Sequence, residues 1–110
     1  MVSDTHPGVL LVVRFKSALA TDELERRYKE RLPEFRNLPG LLQKYYIHDP
    51  ASDEWGGIYL WDSQASLNDY LASDLRKSIP DVYEIVGAPR VETHPVADVL
   101  RSELPIARSL

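Results

Sequence analysis

Three short segments of this chain are apolar on both faces of the strands they would form, and a sheet built from them cannot leave either face in water. Gly8 to Lys16 reads Gly-Val-Leu-Leu-Val-Val-Arg-Phe-Lys, Leu41 to Asp49 reads Leu-Leu-Gln-Lys-Tyr-Tyr-Ile-His-Asp, and Trp55 to Trp61 reads Trp-Gly-Gly-Ile-Tyr-Leu-Trp. Near-continuous β-branched and aromatic runs of this length mark strands covered on both sides. Pro50-Ala51-Ser52-Asp53 is loop chemistry, so the second and third strands form an antiparallel hairpin. Gly56-Gly57 inside the third strand predicts a bulge or a close approach by another group.

Between the first two strands the spacing predicts a helix. Thr21 is placed to cap it, and Leu24, Tyr28, Leu32 and Phe35 form its apolar stripe. Pro33 is expected to end or kink it near Leu32, and Pro39-Gly40 marks the following turn. Ser63 caps a second helix with stripe Leu67, Tyr70, Leu71 and Leu75, restarted at Ser73-Asp74. Pro80 is expected to interrupt it, with one more helical turn over Asp81 to Val86 and a break at Gly87-Ala88-Pro89. Arg90 to Val96 reads as a fourth strand, placed at an edge because Pro95 has no amide to donate.

The order β-α-β-β-α-β is the ferredoxin-like α+β arrangement with an antiparallel sheet. Two helices cover one face of four strands. The other apolar face calls for a second copy of the same sheet, so a homodimer is expected. The 110 residues make a single domain over 1–110, with 97–110 as a C-terminal tail that still carries Val99, Leu100, Leu104 and Ile106 and is placed to reach the partner.

Composition removes several function classes. With no cysteine there are no disulfides, thiolate metal sites or cysteine nucleophiles. The net charge is −4, and Arg26, Arg27, Lys29 and Arg31 alternate with Glu23, Glu25, Glu30 and Glu34, which describes a solvated helix face and no nucleic-acid stripe. No apolar run approaches the ~20 residues of a membrane span, and the start lacks a signal-peptide pattern. A bacterial, cytoplasmic protein is expected. His6, His48 and His94 are scattered without ligand spacing, and neither a glycine-rich phosphate loop nor a nucleophile elbow is present, so no metal or cofactor is expected.

The segment Gly40-Leu41-Leu42-Gln43-Lys44-Tyr45-Tyr46, followed by Gly56-Gly57-Ile58-Tyr59-Leu60-Trp61-Asp62-Ser63, resembles the branch of the dimeric α/β-barrel superfamily that carries the monooxygenase label, related to the antibiotic-biosynthesis monooxygenases. The resemblance runs from Gly8 to about Leu100. It implies two sheets packed face to face across a twofold axis and a pocket between each sheet and its helices. It also implies chemistry of three kinds among relatives: oxygenation of electron-rich polycyclic phenols without metal or flavin, haem breakdown, and isomerisation or cyclisation of small metabolites. Haem degraders use an asparagine on the first strand and a histidine in the second helix; this chain has neither, so haem breakdown is set aside.

Lys44 interrupts an apolar strand, so its ammonium must pair, reach water or face a polar pocket. Alternation puts Tyr46 and His48 on the same face, a polar line suited to a phenol or carbonyl, with His48 able to act as a base. These three are the candidate catalytic residues. Tyr59 and Trp61 are the candidate substrate-binding residues. Both could equally be core, and Trp61 matches by position a pocket tryptophan of the haem-degrading relatives. His94 reads as a solvent or dimer contact. The expected function is a cofactor-independent monooxygenase acting on an aromatic or polyketide-like small molecule. An isomerase or cyclase of the same fold, or a non-catalytic binding dimer, are the alternatives.

Overall fold

The computed structural model describes residues 6–103. Strand β1 (Val9–Ser17) leads into α1 (Thr21–Glu30) and the single-turn α2 (Leu32–Arg36). A hairpin of β2 (Leu41–Asp49) and β3 (Glu54–Trp61) follows, then α3 (Gln64–Leu71), α4 (Asp74–Val82) and β4 (Ile85–Pro95). The sheet order is β2-β3-β1-β4, antiparallel throughout. This is the ferredoxin-like fold, with the helices on one face.

Local chemistry explains most boundaries. Ser63 Oγ accepts the amide of Ser66 and Ser73 Oγ accepts that of Arg76, each at 3.2 Å, so two serine caps split the second helix into α3 and α4. Ala20, and not Thr21, occupies the cap position of α1, while Asp22 accepts the amide of Glu23 in the first turn. Pro33 starts α2, where its missing N–H costs nothing.

Past Pro80 the chain departs from the pattern read in the sequence. Helix α4 runs through Pro80 to Val82, because one lost bond so near the end is tolerable and the amide of Tyr83 still reaches the Ile79 carbonyl at 3.0 Å. The separate helical turn expected over Asp81 to Val86 does not form: the helix ends at Val82. The chain reverses at Glu84 (φ 45°), and Ile85 and Val86 pair with Ser17 and Lys16. Gly87-Ala88-Pro89 therefore lies inside β4, in a bulge where Gly87 takes φ 73°. As expected of Pro95, β4 is an edge strand.

Alternation along the strands assigns the two faces. Val9, Leu11 and Phe15 of β1 and Trp55, Tyr59 and Trp61 of β3 are buried beneath the helices, against Leu24, Phe35, Leu67, Tyr70 and Tyr83. On the other face Leu10, Val12, Ile58 and Leu60 are only partly covered, and Tyr45 is 52% exposed. Arg14, Glu54 and Arg90 edge this apolar strip, with Arg90 donating to Glu54 at 2.6 Å. Leu104 and Ile106, read as part of a tail that reaches a partner, lie outside the described residues; Leu100 is exposed.

Candidate active site

The twist of the sheet and the arc of helices leave a cleft between them, with about 70 Å³ open to the centres of water-sized molecules. Its floor is Leu11 and Val13 of β1 with Lys44, Tyr46, Trp55 and Tyr59 of β2 and β3. Tyr28 of α1, Leu71 of α3 and Arg76 and Ile79 of α4 form the roof, and Tyr83 and Val91 close the side. The wall is mostly apolar and carries no carboxylate.

Lys44 reaches this cleft because its strand partner region is bare. It pairs with Tyr59, beside the Tyr46–Gly57 pair. A Cβ on Gly57 would lie 3.2 Å from Lys44 Cε and 2.9 Å from the Tyr59 ring, so glycine makes room for the lysine stem. The neighbouring Gly56 lets the carbonyl of Val13 approach to 2.2 Å of where its Cβ would stand. The close approach expected from the glycine pair is thus made twice.

Three rings surround the Lys44 amine. Nζ stands 3.5 Å from the centroid of Phe35, 4.2 Å from that of Tyr46 and 4.4 Å from that of Tyr59. Among the described residues it makes no ion pair. Ring faces replace only part of the hydration an ammonium loses. Burial, helped by the charge of Arg31, lowers this amine from 10.5 to about 7. The free base is therefore accessible near neutral pH.

The phenols move the other way. Burial raises Tyr46 and Tyr59 far above the ordinary tyrosine range and pushes Tyr83 up to about 12. Tyr59 and Tyr70 share a hydrogen bond between hydroxyls at 3.3 Å. These groups stay protonated and can donate hydrogen bonds, not take protons. The hydroxyls of Tyr46 and Tyr83 are buried without a protein partner.

Of the five residues read from the sequence, Lys44, Tyr46 and Tyr59 come together on the cleft wall. His48 and Trp61 do not. His48 stacks on Trp55 at 4.1 Å and bonds Asp53 at 2.9 Å, at the hairpin end of β2. Trp61 is 0% exposed, packed behind Tyr59 and Tyr70. His94 bonds Glu92 on the surface.

Sequence reasoning passed over Arg31, Arg76 and Tyr83. Arg31 joins α1 to α2; its Nη2 donates to Ser78 Oγ at 2.6 Å, while Nη1 is buried with no partner. It falls seven residues after Leu24 on the same helical stripe, a signal masked by the alternating charges around it. Those other charges do form a solvated face: Arg26 and Arg27 pair with Glu23, and Lys29 with Glu25. Among the described residues no cluster of three histidines or carboxylates is placed to hold a metal, and no helix is long and apolar enough to cross a membrane.

Comparison with known proteins bears on the fold and the family. No curated protein sequence matches the chain. Solved structures match its fold. SnoaB, a cofactor-independent oxygenase from Streptomyces nogalater, superposes with a TM-score of 0.69 at 17% identity, over 86% of this chain and 97% of its own. An antibiotic biosynthesis monooxygenase homologue from Caulobacter crescentus gives 0.70 at 18% identity, over 86% and 93%. The monooxygenase ActVA-Orf6 of Streptomyces coelicolor, solved with nanaomycin D, gives 0.65 at 14%, over 86% and 91%. The family model described as putative mono-oxygenase ydhR matches residues 10–93, and the chain belongs to that family.

Proposed function

We propose that this protein is a cofactor-independent monooxygenase that oxidises an electron-rich, polyketide-like aromatic in the cleft between sheet and helices. The observation that carries the reading is the Lys44 amine on the cleft wall, ringed by aromatics and lowered to about 7. Such an amine is matched to general-base work near neutral pH. Lys44 takes the proton of a substrate hydroxyl or activated C–H, and the ammonium it becomes offsets the anion left behind. The electron-rich carbon then reduces dioxygen and forms a C–O bond to it. Lys44 returns its proton to the peroxide oxygen. Loss of the hydrogen left on that carbon, with O–O cleavage, gives a carbonyl and one water, so no outside reductant enters. Tyr46 and Tyr59 orient the substrate, and Trp61 backs the wall from behind. His48, paired with Asp53 away from the cleft, has no part in this scheme.

The half-covered strip of Leu10, Val12, Ile58 and Leu60, with exposed Tyr45, supports a homodimer formed sheet to sheet. Oxygen uptake with an anthrone-type polycyclic phenol, without added metal or flavin, tests the function. One dioxygen consumed per quinone formed, abolished by Lys44→Met, is the expected result. Conversion of the substrate without oxygen use would point to an isomerase or cyclase, and binding without conversion to a non-catalytic dimer; either defeats the proposal.

A further inference from the structure

The wall of the cleft holds two basic side chains, Lys44 and Arg76, and no acid. A third, Arg31, lies close enough to act on Lys44, Tyr46 and Tyr83. This excess is local, because the whole chain carries −4. Elsewhere among the described residues, Arg26, Arg27, Lys29 and Arg90 each hold a carboxylate, and the cations that do not, Arg14, Lys16, Arg36, Lys77 and Arg101, are all exposed to water. Among the described residues Arg76 holds no carboxylate, although it is only partly exposed, and its charge is near enough to act on the Tyr70 phenol. Its backbone is fixed, since its amide closes the serine cap that starts α4. An apolar cleft with an unpaired arginine on its wall focuses positive potential on whatever enters it.

Resting on the oxygenase reading of the same cleft, we propose that the substrate is an aromatic acid whose carboxylate is held by Arg76 on the helix side while its reactive edge meets Lys44 on the sheet side. Arginine is suited to this, because its planar fork meets both carboxylate oxygens. Arg31, whose guanidinium donates to Ser78 and is not on the cleft wall, adds positive charge near Lys44. Glu34, near enough to act on Tyr83, is exposed on α2 and is not on the wall.

Binding of 2-naphthoate and of its neutral counterpart 2-naphthamide, followed by quenching of tryptophan fluorescence, tests the assignment. Neither probe has a phenol or an acidic C–H, so binding is read apart from oxygenation. The wild-type protein is expected to prefer naphthoate by ~10–100-fold at low salt, the value of one charge-assisted contact. Arg76→Met should abolish most of that preference and Arg76→Lys should keep part of it, with naphthamide binding falling far less than naphthoate binding in both. Equal affinities for the two probes, failure of both to bind at millimolar concentration, or a preference that survives Arg76→Met would overturn the proposal. Oxygen uptake with a polycyclic phenol but no preference for naphthoate would sink this inference alone. Preference for naphthoate without any oxygen uptake would sink the oxygenase reading and leave Arg76 as an anion site.

Discussion

Replacing Lys44 by methionine keeps the stem and much of the volume and removes the charge. In the folded protein the amine falls from 10.5 to about 7. At ~1.4 kcal/mol per pH unit that fall caps the cost of keeping it buried and charged at ~5 kcal/mol. The faces of Phe35, Tyr46 and Tyr59 lose their cation in the variant, at roughly 0.5–2 kcal/mol in all. A net gain of about 1–4 kcal/mol is expected, in line with other replacements of buried charges by apolar groups. For a domain of this size each kcal/mol moves Tm by about 4–8 °C. The sign of the pH dependence follows from linkage. Because the folded amine is the weaker base, the unfolded chain takes up its proton first as pH falls below 10.5. The wild-type deficit therefore grows between pH 10.5 and about 7 and is constant below. The variant's advantage should be full at pH 6–7 and vanish above pH 10.5. Thermal and urea unfolding at fixed protein concentration across this range measure it. In the same variant oxygenation should fall by ~100-fold or more, the range expected for loss of a general base. A variant that is less stable at every pH, with undiminished turnover, would show that Lys44 is a structural partner and remove it from the site.

The wild-type rate at saturating substrate should rise through pH ~7 to a plateau, because the reactive form of Lys44 is the free base; a rate that falls with rising pH contradicts the assigned role. Gly57→Ala puts a methyl 2.9 Å from the Tyr59 ring and 3.2 Å from Lys44 Cε, so stability should drop by ~1–3 kcal/mol and activity with it; an unaffected enzyme would show that the lysine stem needs no such space. The wild-type protein should sediment as a dimer at micromolar concentration, and Ile58→Asp should make it a monomer; a folded wild-type monomer would refute sheet-to-sheet pairing.

The fold was legible because its signals are local and agree with one another. Near-continuous apolar strand runs and period-3.6 helical stripes take turns from Val9 to Leu75, and serines stand at both caps of the second helical region. The reading failed after Pro80 for a physical reason. Val82, Ile85 and Val86 fit a helical repeat as well as a strand, and only the bare end of β1, where Lys16 and Ser17 wait for partners, selects the strand. A long-range pairing decided what local spacing could not.

For the site, alternation was enough to place Lys44, Tyr46 and Tyr59 on one face, and one odd charge in an apolar strand was enough to mark it. What alternation cannot give is depth. His48 and Trp61 share that face, yet the cleft opens only over the middle of β2 and β3. The hairpin end is occupied by the His48–Trp55 stack, and the other end is sealed by Tyr70 and Leu67 over Trp61. Arg31 and Arg76 were hidden for the opposite reason. Arg31 joins α1 to α2 and Arg76 lies in α4, segments rich in exposed charge, where one more cation carries no information until packing shows which charges lack partners. The chemical character of this cleft, basic and without an acid, thus arises from three elements far apart in sequence, and only the packing of α1 and α4 over β2 brings it into being.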